Sequence, residues 1–565
     1  MNSDAALAMT IMMAAIGLLV GLGVGIVFLL TLQRAVERCA PQNRELSPGQ
    51  VWLILIPLFN FVWQFILVSR IAKTLSREFA SRGTPPAPVP DDYGRSFGTA
   101  WCVLNVVSFI PFVGILTGLA GFMCWIIYWV EISRYSRALA EGGAVAAWSG
   151  AAPAPVYVPM REAAGAGAQC LVALVLVFGY GANYLQCQAL PVMAPLLRAD
   201  LGFSNSQYAQ IVTAFLIGMM AGYVLMTVLT VLCGARWGLV AAFAGASLAA
   251  CASVAFPSYG GLLATRFLLG FFTGGLLPAA VQSARDWFPP RVRPLLIGTV
   301  LAAGPALWLL APPLLVFGSL HFGWRPVLIV TGLPTLVAAV LCLAAWPKSP
   351  AREPFGVSTA AVASSGMVAL GLLFAAPIYG FAISWLPMYL QRDRAINVQT
   401  LGILGIAMPA AAIGGALLAG VLACALTDSA TRAWRVRAVL LTVFGCLLPI
   451  MALTGSANNW VIAIGLGSLS VMAYMGWSVL LYSAVADALP ARAVAAAAAI
   501  GALMGALGGV ASSAALGRLL EAHGFATLLV VLGATAAVGV VGVLLLAWLC
   551  APEVPEVSVR PASAA

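Results

Sequence analysis

Charge is what this 565-residue chain has least of. Only 8% of its residues are Asp, Glu, Lys or Arg, with 18 acids and two histidines in all, about a third of the ~25% usual in soluble domains. The 11 cysteines form no Cys-x-x-Cys pair and most sit singly in apolar runs, which excludes a disulfide framework or a zinc ribbon and leaves them as small buried hydrophobes. No segment alternates apolar and polar residues at the strand period, as a transmembrane β-barrel requires. Gly21-x-Gly23-x-Gly25 lies inside an apolar run, not between a strand and a helix, so it is no phosphate loop. No nucleophile–base pair or metal-ligand spacing occurs in a plausible context. The sequence therefore assigns no catalytic residue, metal or cofactor, and an enzyme is not expected.

What fills the chain is hydrocarbon. Hydrophobic residues make up 62%, mean hydropathy is +1.01, and apolar runs of about 20 residues match the bilayer core. The fold class expected is an all-α polytopic membrane protein. The net charge of +10 resides in short loops between spans, which argues for a topological role in the bilayer and against nucleic-acid binding.

Along the chain, 1–138 reads as an N-terminal membrane module of three to four spans. Met1–Gln33 has no basic leader and is too long for a cleaved signal, so it is expected as a retained span. Gly17, Gly21 and Gly25 recur every four residues there, a face that permits close helix–helix contact. A second span is expected over 51–68, flanked by Arg70, Lys73, Arg77 and Arg82. The apolar run 97–130 would be about 50 Å long as one helix, and Pro111 suggests two short pieces. Residues 139–168, rich in Ala, Gly and Pro, read as a cytoplasmic linker.

From residue 169 twelve spans are expected in two sets of six, 169–346 and 364–551. They are separated by a central cytoplasmic loop, 347–363, and followed by a tail, 552–565. Two such halves with substrate held between them is a transporter architecture. Inside one span, in the stretch from Tyr259 to Pro313, stands Arg266. An embedded guanidinium is a functional residue by default, although hydrogen bonds to helix ends would also accommodate it.

Around Arg266 the order Gly270, Pro278, Trp287-Phe288-Pro289, Arg291, Arg293 and Gly298 resembles helices four and five of the major facilitator superfamily, with the nearest likeness in its anion:cation symporter branch of sugar-acid and sialin-like carriers. Asn183-Tyr184-Leu185, Gly323-Trp324-Arg325, Trp385–Arg394 and the phrase from Ala486 carry the same likeness. The resemblance implies a twelve-helix transporter in the plasma (inner) membrane, preceded by about four extra helices. It also implies a gating motif, degenerate here as Arg236 and Gly238 in the first half and Asp428 and Arg432 in the second. This chain departs from the branch at Gln186 and Cys187, where Asp-Arg is usual, at Thr273, where an acid is usual, and at Ala235.

The acids of the twelve-span region, Asp200, Asp286, Glu353, Asp393, Asp428, Asp487, Glu521, Glu553 and Glu556, all fall in loops, span ends or the tail, as do His321 and His523. No group inside a span titrates to carry protons. The expected function is transport of a small organic anion by uniport or exchange, with a non-transporting membrane sensor or scaffold as the alternative. Arg266 would bind the anion, with Tyr180, Asn183, Tyr184, Gln186, Thr273, Tyr474, Trp477 and Ser478 supplying cavity groups. Each of these polar residues also fits a helix-packing role. Gly501, Gly505, Gly509, Ser513 and Gly517 form a small-residue ladder for another helix. The partners expected are an anionic small molecule and lipid, with helix contacts through the N-terminal module.

Loop charge sets the first test. With both termini cytoplasmic, ten basic residues fall inside and five outside. Cysteines placed at residue 85 or 150 of a cysteine-free variant are expected to resist an impermeant thiol reagent in intact cells. Labelling at either position refutes the orientation.

Overall fold

In the computed structural model, the residues described are 25–56, 59–82, 93–109, 114–140, 166–346, 359–394, 396, 398–427, 430–457 and 459–549. The chain forms two compact units, residues 1–181 with 344–350, and residues 182–343 with 351–565.

In the first unit, helix α1 spans 25–37, α2 is Asn60–Ser81, α3 is Arg95–Val107 and α4 is Gly114–Ala140. The expected helical span over 51–68 is not continuous: a 3₁₀ segment, Pro48–Leu55, precedes α2. Proline at its start and the reciprocal Ser47/Gln50 capping box explain where that segment begins. The basic residues expected to flank a span lie within α2 itself, where Arg82 pairs with Glu78 at 2.8 Å and Arg77 with Glu45 at 2.6 Å. Glu78 is buried, which disfavours its charge, yet donors from Asn43, the Ala40 backbone and Arg82 outweigh burial and hold its carboxyl below the usual range. Phe28 is enclosed edge-on by Trp101, Trp125, Tyr128 and Trp129 at 5.3–6.3 Å, so these aromatics form a core. Gly17, Gly21, Pro111 and nearly all of the expected linker lie outside the described residues.

Helix α5, Ala166–Leu201, begins the twelve-span region. It is followed by α6 (Asn205–Cys233), α7 (Ala235–Ala255), α8 (Tyr259–Gly274), α9 (Leu276–Trp287), α10 (Arg293–Phe322) and α11 (Trp324–Ala345). The second half holds α12 (Thr359–Ser384), α13 (Leu386–Arg394), α14 (Val398–Leu426), α15 (Ala430–Leu447), α16 (Trp460–Ala488) and α17 (Ala491–Leu549). Among the described residues twelve stretches are long and apolar enough to cross a membrane, from Gly167–Leu201 to Thr527–Leu545, six in each half. Their outer faces expose Leu232, Leu248, Phe317, Leu320 and Val330 at 59–69%, a display that water would not tolerate and lipid accepts.

The helix ends follow local chemistry. Ser204 accepts from the Gln207 amide and Gln207 reciprocates, starting α6; Ser258 and Asn459 cap α8 and α16 by accepting from the Gly261 and Ile462 backbone N–H groups. Gly234 and Gly323, at φ of 92° and 78°, end α6 and α10. Pro278 cannot donate to the carbonyl four residues back, and the span Tyr259–Trp287 breaks into α8 and α9 at Gly275.

Close packing depends on small residues. A Cβ on Gly218 or Gly222 of α6 would stand 2.1 or 2.0 Å from the Phe267 or Phe271 carbonyl oxygen of α8. One on Gly270 would stand 2.0 Å from the Phe215 oxygen of α6. The two backbones therefore touch along the face of α8 that bears Arg266. In α17, Gly501 and Gly505 face α12 at Val368 and Leu372, but the closest backbone approach is at Gly508, 2.2 Å from the Leu373 oxygen. The four-residue ladder thus misses a member, because a straight helix returns to one face after seven residues as well as four.

Gly222→Val must push the α6 and α8 backbones apart. Overpacking of this kind costs about 1–3 kcal/mol, so thermal unfolding in detergent is expected several degrees lower. An unchanged Tm disproves the backbone contact.

Candidate functional site

Arg266 lies mid-helix in α8, 3% exposed, held there by the glycine contacts with α6. No carbonyl or carboxylate among the described residues accepts from it, and its Nε is buried without a partner. The helix-end role weighed for it has no acceptor in this arrangement. Gln186 of α5, 1% exposed, leaves both Oε1 and Nε2 unpaired, and Asn183 one turn earlier leaves Nδ2 unpaired. Cys187 donates to the Asn183 oxygen at 3.7 Å and meets the Thr273 hydroxyl at 3.8 Å. Cys187 and Tyr208 are within electrostatic reach of Arg266. The Gln186 amide lies toward Gly332 of α11 and Ser247 of α7, while Asn183 and Cys187 connect to the Arg266 side. Arg266 and both amides keep buried polar atoms without a partner, a costly condition inside a helix bundle.

A tyrosine cluster borders this region. Tyr379 of α12 stacks on Tyr474 of α16, ring centroids 5.3 Å apart at 21°, and both lie within electrostatic reach of Tyr184 or Tyr223. Tyr482 also faces Tyr223 and Tyr474. The Tyr184 ring fits against Gly304 of α10, where a Cβ would come within 2.7 Å. Beyond Tyr379 is a cavity of about 230 Å³, walled by Pro305, Trp308, Ala382, Ile383, Pro387, Gly405, Met408 and Pro409. Of the residues expected at the site, Asn183, Tyr184, Gln186, Arg266, Thr273 and Tyr474 converge here. Tyr180 is half-buried one turn before Tyr184 in α5. Trp477 is fully buried and donates to the Gly371 carbonyl at 3.2 Å, and the Ser478 hydroxyl donates to the Tyr474 carbonyl at 2.8 Å. Both are thereby engaged in packing and back-bonding. Tyr223, Tyr379 and Trp308 were not expected; a lone aromatic in an apolar run carries no sign of which way it faces.

A larger cavity, about 620 Å³, lies away from Arg266 where α5 ends and α11 begins. Trp324 donates to Asp200 at 2.9 Å, and Arg325 pairs with Asp200 at 3.1 Å while lying over the Trp324 ring. These groups satisfy one another; Asp200 and Arg325 are half exposed, Trp324 buried.

At the opposite end, charges read as solvated loop residues are buried. Arg293 and Arg437, 2% and 1% exposed, both pair with Asp487, Arg293 at 2.8 Å. Arg293 also donates to the Ala486 and Arg285 carbonyls, and Arg437 to Pro290 at 2.6 Å. Arg285 reaches the Leu489 carbonyl, and Gln282 accepts from the Ala495 amide. The ends of α9 and α10 are thereby tied to α15, α16 and α17 across the two halves. Of the expected gating residues, Arg236 donates to the Cys342 and Leu343 carbonyls, capping α11. Gly238 admits Thr230, whose hydroxyl would be 2.2 Å from an added Cβ. Asp428 and the Arg432 side chain lie outside the described residues.

The family model described as the Major Facilitator Superfamily matches residues 176–513. A galacturonate transporter of Dickeya chrysanthemi is 24% identical over 41% of this chain and 74% of its own length; a hexuronate transporter of Escherichia coli (strain K12) is 25% identical over 41% and 60%. A 4-hydroxybenzoate transporter of Pseudomonas aeruginosa is 31% identical over 32% of this chain and 39% of its own length. Among solved structures, the human organic anion transporter MFSD10 and the proton:xylose symporter XylE each share the fold at TM-score 0.53 and 14% identity, covering 66% of this chain and 99% and 94% of theirs.

Asp487→Asn leaves two buried guanidinium groups with half their compensation. Breaking such a pair costs about 3–5 kcal/mol, so hydrogen exchange is expected to rise at the ends of α9 and α16 and Tm to fall. Exchange that stays unchanged there refutes the tie.

Proposed function

The chain belongs to the Major Facilitator Superfamily, and from that premise we propose that it carries a small organic anion across the membrane by alternating access of its two halves. The observation that carries the proposal is the buried Arg266 guanidinium, its Nε without a partner, on the same side as Cys187 and Asn183, with the unpaired Gln186 amide on the same helix as those two. A carboxylate entering there neutralises the guanidinium and accepts from it bidentately, while the two amides take its remaining oxygens or hydroxyls. Relatives named for galacturonate, hexuronate and 4-hydroxybenzoate support an anionic cargo.

The mechanism proposed is uniport or exchange. Gln186 and Thr273 occupy positions where proton-coupled relatives are expected to hold acids, and Asp487, the buried carboxylate nearest a span end, is engaged by two arginines. Between half-cycles the empty carrier must reorient with Arg266 uncompensated, whereas the loaded carrier moves with the charge neutralised. Exchange of one anion for another is therefore the faster mode. The tie at Asp487 must open when the halves rock, and Gly298 and Gly420, seated on the Ala416 and Pro294 carbonyls between α10 and α14, offer a smooth surface for that movement.

Liposomes containing the full chain test this with galacturonate and 4-hydroxybenzoate as probes. Uptake is expected to be stimulated by unlabelled anion inside and insensitive to an imposed proton gradient. Arg266→Gln is expected to weaken binding by about 1.5–3 kcal/mol, and Arg266→Lys less, because charge survives without the planar fork. Uptake driven by a proton gradient and abolished by an uncoupler overturns the coupling; unchanged affinity in Arg266→Gln overturns the site.

A further inference from the structure

The cavity beyond Tyr379 has a lining that the anion site does not explain. Resting on the organic-anion reading above, we propose that this cavity is a subsite for the uncharged body of the cargo, and that it selects a flat single-ring carboxylate over a sugar acid. Its walls are Pro305 and Trp308 from α10, Tyr379, Ala382 and Ile383 from α12, Pro387 from α13, and Gly405, Met408 and Pro409 from α14. They bring no charge, amide or aliphatic hydroxyl. Among the side chains of the wall, polar atoms are limited to the Tyr379 hydroxyl and the Trp308 indole N–H; Pro387 and Pro409 also remove the helical donors of the carbonyls at Ile383 and Gly405. Those serve one or two hydroxyls. A sugar acid has hydroxyls around its whole ring and would strand most of them against proline, isoleucine and methionine, losing the water that hydrated them.

Size and shape point the same way. At about 230 Å³ the space lies below the ~300–1,000 Å³ of sites for drug-sized ligands and suits one ring. Flat faces of Trp308 and Tyr379 offer stacking, which an aromatic ring uses and a puckered polyol uses less. The anionic end has a separate attraction. Tyr379, in the cavity wall, stacks on Tyr474, and Tyr474, Tyr223, Cys187 and Arg266 lie within electrostatic reach of one another in turn, so the apolar wall and the guanidinium belong to one region of the bundle.

Calorimetric titration of the purified full chain with benzoate, 4-hydroxybenzoate and galacturonate decides the matter. The two aromatic acids are expected to bind at least about tenfold tighter than galacturonate. Ile383→Phe, which fills the cavity, is expected to cost benzoate roughly tenfold or more while leaving galacturonate within about twofold. Met408→Gln, a near-isosteric change that adds an amide to the wall, is expected to narrow the ratio. Each variant is checked for monodispersity first. Galacturonate binding as tightly as benzoate, or an unaltered benzoate affinity in monodisperse Ile383→Phe and Met408→Gln, overturns the subsite and leaves the Arg266 reading standing. Absence of binding by all three acids, with Arg266→Gln indistinguishable from the parent chain, overturns both.

Discussion

In hydrocarbon no water is at hand to satisfy a polar group, and that constraint organises this molecule. The backbone meets it by remaining helical. Buried hydroxyls meet it by donating to their own helix one turn back, as Thr230 does to Met226, Ser253 to Ala249 and Thr299 to Leu295. Buried arginines near span ends meet it with carboxylate and carbonyl acceptors. Arg266, Gln186 and Asn183 differ in keeping buried polar atoms without a partner inside the spans. A packing role would have supplied acceptors at the cost of one substitution; a binding role requires that they be left open.

Holding such a group in place takes rigid surroundings. Contact of α6 with α8 through Gly218, Gly222 and Gly270 brings backbone against backbone, leaving α8 little freedom to roll Arg266 toward lipid. Between the halves the contacts are of two kinds. Along α10 and α14 they are small residues on carbonyls, Gly298 on Ala416 and Gly420 on Pro294. Around Asp487 they are buried ion pairs, which are strong when whole and costly when half broken. The halves are thus joined by close glycine contacts along α10 and α14 and by ion pairs at one end, the contacts that would change if the halves rock as proposed.

The twelve spans were legible because length and hydropathy suffice for them, and Arg266 because a lone charge in an apolar run is conspicuous. Asn183, Gln186 and Thr273 were legible from their places in a motif. Tyr379, Tyr223 and Trp308 were not: a membrane helix is apolar on every face, so periodicity does not tell the cavity side from the lipid side. Arg293 and Arg437 were misread for a related reason. Near a span boundary an arginine for the loop and one for a buried pair look alike until the acid across the interface, Asp487, is located. The interruption before Asn60 escaped because an apolar run reads as continuous whether the backbone is α or 3₁₀.

The distribution of charge also separates tasks that one residue might otherwise share. Carboxylates are confined to the ends of the bundle, where Asp200 ties α5 to α11 and Asp487 ties the halves. The middle keeps a single cation without an anion of its own. Thr273, two turns further along α8, contacts Cys187 and brings no charge to the Arg266 side. On the reading proposed above, an anionic cargo would meet a guanidinium without a carboxylate partner, while the ties at Asp487 are made by other residues. Substitutions at Arg266 and at Asp487, which share no partner among the described residues, are on that reading expected to act nearly additively.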